Sequence, residues 1–585
     1  MYFTVVFLHQ NIVFIMEFKC GETEYKASTY DQVYDYALDL RNFQKESHDK
    51  LLAPMMIATK APPISLKLIE YDRIIEPIRC NAQNIADAIH LVCSTYNESN
   101  FDYYLWEESE YLPTPTIIEA AQALYRGHNV SDITRSDAGA ENLTVTTDEI
   151  NKIIEFSKAN RKKSICFITG VPGSGKTLVG LNIAIQRSDA DKGEHAVFLS
   201  GNYPLVTVLQ EALARDKVSQ AKDNNQSLKK SEALRSTAAF IQIIHKYRDS
   251  FVGNTILPPE RVAIFDEAQR AWTKDQMSKF MQTKKGVIDF EYSEPEFLIS
   301  TMDRHKDWAV VICLVGGGQE IHTGEAGLPE WFDSIRRSFP DWNVFITPQL
   351  NDEEYRRDYS WEKMIAELNV MEIEKLHLST SVRSFRTPDL ASFVKAVLDI
   401  DTQSARALLK KFRDKYPIVL TRDLNKAKEW VQSQCKGTMR YGLLASSGAL
   451  RLKPEGIFVK NDISVANWFL NDKDDVRSSY YLEDVVTEFD IQGLELDYTI
   501  VAWDADFRFE NNEWHYYIFS GTRWNNVKLA SKQNYLKNSY RVLLTRARQG
   551  MVIFIPKGSD DDKTRLKKYY NGIFEYLKSI GITVI

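Results

Sequence analysis

The segment from Ser164 to Thr177 constrains the fold most, because an apolar strand runs there directly into the pattern GxxxxGKT. Such glycines let backbone N–H groups turn inward around phosphates, while the lysine supplies positive charge and the threonine hydroxyl can bind Mg²⁺. The apolar helix that follows points its N-terminus at the anion. We therefore predict a phosphate-binding loop formed by Gly170, Gly173, Ser174, Gly175, Lys176 and Thr177, with Thr177 also a metal ligand.

The composition is that of an ordinary globular protein with several domains. The chain has 585 residues, of which 44% are hydrophobic and 26% charged. A formal charge of −7 excludes a global positive field, so nucleic acid would have to bind in a local groove. The six cysteines are widely spaced, which predicts reduced, buried thiols rather than a disulfide framework.

The amino-terminal residues 1–16 are apolar, but they lack a positively charged start and a small-residue cleavage site. They are also too short and interrupted to span a bilayer. We interpret this stretch as a strand, and we predict a cytoplasmic protein without a membrane partner.

Strand-like and helical patterns alternate from about residue 145 to the end, which is typical of parallel sheets in α/β units. The predicted fold is α/β, with two RecA-like domains (146–365 and 366–585) after a small α+β domain (1–110) and a helical linker (111–145). The polar stretch Asp216–Arg235 is predicted to be a solvated excursion. Predicted strands of the first block are Ile165–Thr169, Ala196–Ser200, Val262–Asp266 and Ala309–Val315, and those of the second are Leu376–Ser379, Tyr441–Ala445, Asp484–Thr487, Tyr498–Trp503 and Met551–Pro556.

Two carboxylates close the apolar run Val262–Phe265. Asp266 can hold the magnesium shell, and Glu267 is placed to polarise the attacking water. Another apolar run ends in glycines and Gln319, which could sense the γ-phosphate. We assign Glu267 and Gln319 as catalytic residues and Asp266 as a metal ligand.

Two segments of the second block contain arginines that could reach a nucleotide bound to the first block. An arginine that crosses a domain cleft in this way stabilises the transition state of phosphoryl transfer. We assign Arg383 and Arg546 to this role. The segment Val486–Glu495 reads as a strand and a turn that could link a nucleotide site to a nucleic-acid site. We place Gly493 and Glu495 at the nucleotide site.

The ordered motifs GVPGSGKT (170–177), DEAQ (266–269), GGGQ (316–319), TSVRSF (380–385), TEFDIQGLE (487–495) and LLTRAR (543–548) resemble those of superfamily 1 helicases. More closely, the chain is similar to the bacterial Schlafen group 3-like DNA/RNA helicase domain. The resemblance implies ATP and Mg²⁺ in a cleft between two RecA-like domains, with single-stranded DNA or RNA as the partner. It also implies a role in phage defence or DNA maintenance.

Two features depart from that pattern. The segment Leu143–Asn151 offers no clear counterpart of the glutamine that usually contacts adenine. The spacings between motifs also leave little room for large accessory domains, which favours translocation over processive unwinding.

The amino-terminal region carries Glu17 and Lys19 on a predicted strand, and Gln32 and Tyr36 on a predicted helix. This ExK and QxxxY pair is similar to RecB-like PD-(D/E)xK nucleases, in which the acid binds a metal. Residues 1–16 contain no Asp or Glu to act as the second ligand. Residues 1–110 are therefore predicted to be a truncated or degenerate, catalytically dead nuclease-like domain, and the alternative is an ordinary edge strand with a surface ion pair between Glu17 and Lys19. We predict no nuclease activity.

Three functions are compatible with these patterns. The leading one is an ATP-dependent helicase or translocase. A second is a nucleotide-dependent switch acting on a protein partner. A third is a nuclease–helicase effector, which would lose metal-dependent cleavage in Glu17→Ala.

Overall fold

The structure is a computed structural model, and two compact units make up the chain. One comprises Met1–Thr114, Asp132–Ser136 and Gln432–Arg440, and the other comprises Pro115–Ser131, Asp137–Val431 and Tyr441–Ile585. The residues that the structure describes are 2–71, 73–96, 102–107, 109, 116–128, 137–171, 173–188, 194–316, 327–352, 355, 359–379 and 389–585.

The amino-terminal unit is built on a mixed sheet in the order β1-β2-β3-β5-β4, with β6 also paired to β3. Alternate residues of β2 pack on opposite faces of the sheet, as expected for a strand buried on both sides. The predicted small α+β domain is confirmed, but the stretch 1–16, which was interpreted as one strand, contains β1 and the start of β2, paired antiparallel as a hairpin. Its elements are β1 (Tyr2–His9), β2 (Ile12–Lys19), β3 (Leu51–Ala58), β4 (Glu70–Tyr71), β5 (Ile74–Ile75), β6 (Ile78–Cys80), α1 (Ala27–Phe43), α2 (Ile85–Thr95) and α3 (Tyr103–Glu107).

The first lobe surrounds a parallel sheet in the order β13-β12-β7-β11-β10-β8-β9, with β14 also paired to β7. Its strands are β7 (Lys163–Gly170), β8 (Ala196–Ser200), β9 (Ile241–Ile243), β10 (Val262–Asp266), β11 (Ala309–Leu314), β12 (Asn343–Ile346), β13 (Asn369–Glu372) and β14 (His377–Leu378). Its helices are α4 (Ile117–Tyr125), α5 (Asp137–Asn160), α6 (Lys176–Gln186), α7 (Tyr203–Asp223), α8 (Lys230–Phe240), α9 (Ile244–Phe251), α10 (Lys274–Phe280), α11 (Glu294–Asp303), α12 (Gly327–Ser338) and Trp361–Ile365.

The four strands predicted for the first block are all present in this sheet. The prediction that Leu376–Ser379 belongs to the second block was wrong, because β14 pairs with the end of β7 through Thr169 and Gly170. Strand β13 also joins the first sheet. The first sheet therefore extends beyond the predicted boundary at residue 365.

The second lobe has its own parallel sheet in the order β17-β16-β18-β22-β15-β23, and the small antiparallel sheet β19-β20-β21 follows β18. The other four strands predicted for the second block are confirmed here. The strands are β15 (Ile418–Thr421), β16 (Tyr441–Ala445), β17 (Val485–Val486), β18 (Leu496–Ala502), β19 (Phe507–Glu510), β20 (Glu513–Ser520), β21 (Arg523–Asn526), β22 (Ala547–Phe554) and β23 (Thr583–Val584). The helices are Leu390–Leu398, Thr402–Phe412, Leu424–Gln434, Val465–Leu470, Glu488–Ile491, Ala530–Leu543 and Lys567–Ile580.

Two other expectations need correction. The stretch Asp216–Arg235 is largely exposed, as predicted for a solvated excursion, but most of it is helical, within α7 and α8, and its buried Asp216 pairs with Arg126 of α4. None of the six cysteines, all of which the structure describes, forms a disulfide, but Cys20 is exposed and Cys93 and Cys435 are half-buried rather than buried. Among the described helices, none combines the length and apolarity needed to cross a membrane.

Candidate nucleotide site in the cleft

The phosphate loop, residues 170–177, follows the buried strand β7 and leads into α6. Gly173 and Gly175 have φ angles of 78° and 87°, the left-handed region that glycine adopts without a steric penalty. Gly170 has no room for a side chain, because a Cβ there would lie 2.5 Å from the Ser174 hydroxyl oxygen. The glycines therefore fix the shape of the loop.

Two polar groups inside this loop fit a bound triphosphate. The Ser174 hydroxyl is buried and has no hydrogen-bond partner in the part of the chain that the structure describes. The Lys176 ammonium group donates to the carbonyl oxygen of Gly170 at 2.7 Å, although a phosphate oxygen is the stronger acceptor. Gly175 provides no side chain to cap the start of α6, so the helix N-terminus is open to an anion.

Strand β14 completes the wall of the loop. The N–H of Val171 donates to the carbonyl oxygen of Leu378 at 3.0 Å, and the Thr169 hydroxyl lies 2.7 Å from His377 Nδ1. Leu378 also limits the space at Gly170, because a Cβ there would lie 2.7 Å from its Cβ. The phosphate loop is thus held by a strand that lies far along the chain.

Asp266 and Glu267 lie beside the loop at the carboxyl end of β10. The Thr177 hydroxyl donates to one Asp266 oxygen at 3.2 Å, and the Ser200 hydroxyl donates to the other at 3.4 Å. Burial, followed by the charge of Glu267, raises the pKa of Asp266 to about 7. A divalent cation next to Thr177 and Asp266 would favour the ionised carboxylate, which fits the predicted metal ligands.

Glu267 has a strained backbone, with φ at 53° in the left-handed region that a residue with a side chain rarely adopts. Its carboxylate accepts a hydrogen bond from the Gln269 amide, and the Gln269 side-chain oxygen accepts one from the Gly316 N–H at 2.9 Å. A Cβ at Gly316 would lie 2.9 Å from the Glu267 carboxylate. Gln269, which the sequence analysis did not assign, therefore links Glu267 to the end of β11.

Arg546 of the second lobe is buried just before β22. Its guanidinium group donates to the carbonyl oxygen of Val542 at 3.1 Å and to the Thr545 hydroxyl at 3.4 Å. Burial lowers the pKa of Arg546 to about 10, while the charge of Glu267 in the first lobe acts in the opposite direction. The structure thus brings Arg546 within electrostatic reach of Glu267.

Gly493 lies against the start of α7 in the first lobe. The Asn202 side-chain amide donates to the carbonyl oxygen of Gln492 at 2.5 Å, and a Cβ at Gly493 would lie 3.0 Å from the same amide nitrogen. The segment therefore joins the two lobes beside β8. Nucleotide contact by Gly493 and Glu495 stays a prediction.

Gln319 and Arg383 lie outside the residues that the structure describes, so their assigned roles also stay predictions. The described residues that precede each motif position lie at the site. Gly316 lies against the side chains of Glu267 and Gln269, and Leu378 lies against Gly170 of the phosphate loop. In sequence, Gln319 and Arg383 thus follow segments that border the site.

A cavity of about 570 Å³ adjoins the two carboxylates and is lined by residues of both lobes. Its aromatic side chains come from the first lobe (Tyr203, His245, Phe265, Trp272 and Trp331) and the second (Phe489). Burial, followed by the charge of Arg248, lowers the pKa of His245 to about 4, so the ring is neutral at neutral pH. His245 and Trp272 have ring centroids 5.0 Å apart.

The cavity wall is braced by a buried ion pair. Glu294 accepts hydrogen bonds from the backbone N–H of Trp272 at 3.0 Å and from the Arg248 guanidinium at 3.2 Å. The Arg248 guanidinium also lies 5.5 Å from the Trp272 ring centroid. Trp272, five residues after Glu267, is therefore fixed against the site.

The amino-terminal unit carries the predicted ExK pair on one face of β2. Glu17 is buried and forms an ion pair with Lys19 at 2.7 Å, and Lys19 donates to Gln32 at 3.0 Å. On the adjacent β1, Thr4 stands directly opposite Glu17 and donates to its carboxylate. Within the described residues, no three His, Cys, Asp or Glu side chains are grouped to hold a metal ion.

Comparison with known proteins gives one match to a family model and several similar structures. The chain is similar to the Pyrococcus furiosus Hef helicase domain, with 13% identity, coverage of 71% of this chain and 97% of that one, and a TM-score of 0.23. It is also similar to a structure of two coordinating Pif1 helicases on forked double-stranded DNA, with 11% identity, coverage of 74% and 97%, and a TM-score of 0.25. The chain is also similar to the DUF1998 helicase MrfA bound to DNA, with 12% identity, coverage of 80% of this chain and 54% of that one, and a TM-score of 0.26.

No curated protein sequence gives a match. The family model is described as the Schlafen group 3, DNA/RNA helicase domain, and it matches residues 163–557. That range begins with the strand of the phosphate loop and ends just beyond β22, so it includes both lobes and the cleft residues Lys176, Glu267 and Arg546. The chain therefore belongs to the family of Schlafen group 3 DNA/RNA helicase domains.

Proposed function

We propose that this protein is an ATP-dependent motor that moves along single-stranded DNA or RNA. The observation that carries the proposal is that both lobes line the cavity beside Asp266 and Glu267, where Asn202 of the first lobe donates to the carbonyl oxygen of Gln492 of the second. A site completed by two lobes can couple hydrolysis to their relative movement, because it is active only when they are closed.

Each side chain of the cleft has a role in this proposal. Lys176 and the loop N–H groups bind the phosphates, and Thr177 and Asp266 hold Mg²⁺. When bound, magnesium ATP supplies the phosphoryl group that water attacks. Glu267 orients that water and accepts its proton, while Arg546 offsets the charge that develops on the phosphoryl oxygens.

The aromatic cavity beside these residues suits a single strand. Tyr203 and Phe489 expose 56% and 37% of their surface, so their faces can contact bases from opposite lobes. Stacking on aromatic side chains is the usual way in which proteins hold single strands without reading their sequence. Trp272 connects this cavity to Glu267 through only four intervening residues, which supports coupling between strand binding and hydrolysis.

The test is ATP hydrolysis measured with and without single-stranded DNA and single-stranded RNA. We expect at least one of them to stimulate turnover, and we expect Tyr203→Ala to reduce the stimulation more than the basal rate. An exposed tyrosine of the second lobe, Tyr481, provides the matched control variant Tyr481→Ala. Turnover that neither polymer changes, but that a protein partner does, would favour the nucleotide-dependent switch instead.

The other finer assignments also belong to this proposal. Preference for ATP over other nucleotides, a role in phage defence or DNA maintenance, and movement without processive unwinding all stay predictions. The buried Glu17, held by Thr4 and Lys19, provides no observation that favours a nuclease.

A further inference from the structure

A second cavity, of about 780 Å³, lies in the second lobe between β19–β21 and the helix Lys567–Ile580. It shares no lining residue with the cavity in the cleft. None of the motifs found in the sequence includes its lining residues. Its ligand must therefore be inferred from the side chains themselves.

Arg508 is the central side chain of this cavity. It is buried, and its Nε donates to the carbonyl oxygen of Ala505 at 2.8 Å. Among the residues that the structure describes, its Nη2 has no hydrogen-bond partner, although the Tyr569 side chain is hydrogen-bonded to the guanidinium and the charge of Glu510 acts on it. A buried guanidinium N–H without an acceptor is costly, so a bound acceptor would stabilise the site.

Aromatic rings hold Arg508 in place. Its Cζ lies 3.5 Å from the ring centroid of Tyr569 and 3.9 Å from that of Tyr517. Trp524, whose ring centroid is 5.3 Å away, is fixed by donating to the carbonyl oxygen of Thr564 at 2.7 Å. The rings offset part of the positive charge, while Nη2 itself has no acceptor among the described residues.

The cavity is formed before any ligand arrives, since the helix Lys567–Ile580 packs directly on β19. A Cβ at Gly572 would lie 1.8 Å from the carbonyl oxygen of Phe509, so the helix and strand are in backbone contact there. Such close packing keeps the aromatic wall and the Arg508 N–H in fixed positions. Binding then requires little ordering of the protein.

The charged side chains of the lining exclude a simple anion site. Arg508 and Lys568 are positive, while Glu510 and Glu575 are negative, which leaves no net charge. Aromatic faces, one unpaired donor and nearby acceptors instead match a flat, uncharged ring with both hydrogen-bonding types on its edge. A nucleobase has this chemistry.

We propose that this cavity binds one nucleobase of a single strand, packed against the aromatic wall beside the Arg508 guanidinium, with a base oxygen or ring nitrogen accepting from Arg508 Nη2. The proposal rests on the proposed function, because it needs a single-stranded substrate. It adds a contact on the second lobe that is separate from the cleft.

The test compares binding of two fluorescein-labelled oligonucleotides by fluorescence anisotropy, one with normal bases and one with abasic residues. We expect Arg508→Met to weaken binding of the normal strand by about tenfold, on the scale of one lost base contact. Binding of the abasic strand should be unchanged. The matched control is Arg523→Met, because Arg523 is an exposed arginine of the same small sheet outside the lining.

A second variant, Tyr569→Leu, keeps the test valid if Arg508→Met does not fold, as judged by circular dichroism. The inference is overturned if the folded variants bind the normal strand as wild type does, or if they lose affinity for both strands equally. If wild-type protein binds both oligonucleotides and the variants lose no affinity that depends on the bases, only the inference about this cavity fails. The proposed motor function is then unaffected. Wild-type protein that binds neither strand overturns both proposals.

Discussion

Buried acids stand near the carboxyl ends of central strands in both lobes, and the two sets differ in their hydrogen bonds. In the first lobe, Asp266 accepts only long hydroxyl contacts, at 3.2 Å from Thr177 and 3.4 Å from Ser200. The neighbouring Glu267 accepts from the Gln269 amide. These carboxylates border a cavity that is open between the lobes.

In the second lobe, the corresponding acids are fully engaged within the protein. Asp506 accepts from the Tyr540 hydroxyl at 2.6 Å and from the Ser446 hydroxyl at 2.7 Å. Asp504 accepts from the Tyr570 hydroxyl at 3.0 Å and from the N–H of Arg451 at 2.8 Å. Short bonds to buried donors make this set a part of the scaffold.

The difference shows that a perturbed pKa does not by itself identify a functional acid. Burial, followed by a neighbouring carboxylate, raises the pKa of both Asp266 and Asp506 to about 7. Only Asp266 also has weak protein partners and a neighbouring cavity. Incomplete hydrogen bonding next to open space is therefore the more informative sign of a ligand site.

The largest effect should come from Glu267→Gln, which keeps the size of the side chain but removes its proton acceptor. We expect ATP turnover to fall about a thousandfold, within the range for loss of a general base. Glu260→Gln, at another buried glutamate of the same lobe, serves as the matched control. Turnover in Glu267→Gln close to that of the control would contradict the comparison.

Arg546→Ala should reduce ATP turnover about a hundredfold, because it removes one group that stabilises transition-state charge. Nucleotide binding, measured with a fluorescent ATP analogue, should change little, since the loop residues hold the phosphates. The control is Arg523→Ala on the small sheet. Equal turnover in the two variants would remove Arg546 from the cleft.

Tyr540→Phe should lower stability without lowering turnover. The change removes the donor at 2.6 Å from a buried Asp506 oxygen, which should cost about 1–3 kcal/mol of unfolding free energy. Thermal unfolding and ATP hydrolysis measured on the same sample separate the two effects, with the exposed Tyr481→Phe as control. Lower turnover at unchanged stability would mean that the second-lobe acids are functional.

The smallest effect should come from Glu260→Gln, which tests a buried acid with one unpartnered oxygen, among the described residues, that lines neither cavity discussed above. One carboxylate oxygen of Glu260 has no hydrogen-bond partner, and burial raises its pKa from 4.5 to about 7. Because the folded-state pKa is the higher one, wild-type stability is lost as pH rises from 4.5 to 7.

Glu260→Gln should therefore raise the unfolding temperature at pH 8, by an amount equivalent to about 1–3 kcal/mol, and leave it unchanged at pH 4.5. The measurement is calorimetry at the two pH values. An equal change at both would show that the effect comes from packing rather than from ionisation.

Features that depend on adjacent residues could be predicted from the sequence. The phosphate loop and the pair Asp266 and Glu267 follow from strand ends, glycines and carboxylates that are contiguous in the chain. The strands around them were predicted for the same reason, since a buried parallel strand is a continuous apolar run.

Features that depend on distant partners could not be predicted in this way. Arg546 was assigned from a motif, but only the fold shows that it is buried in the second lobe and that the charge of the distant Glu267 raises its pKa against the effect of burial. Asp216 has a polar sequence neighbourhood, yet its ion pair with Arg126 allows it to be buried in a helix. Arg508 gave no signal at all, because its ring partners lie in other elements.

The pairing of β14 with β7 has a consequence for how the protein is assembled on the ribosome. The contact between Thr169 and His377 joins residues that are 208 positions apart. Domains fold from the N-terminus as the chain emerges, so the GKT sequence is exposed long before its supporting strand has been made. Nascent chains that end between these two positions should therefore contain the complete motif without a finished nucleotide pocket.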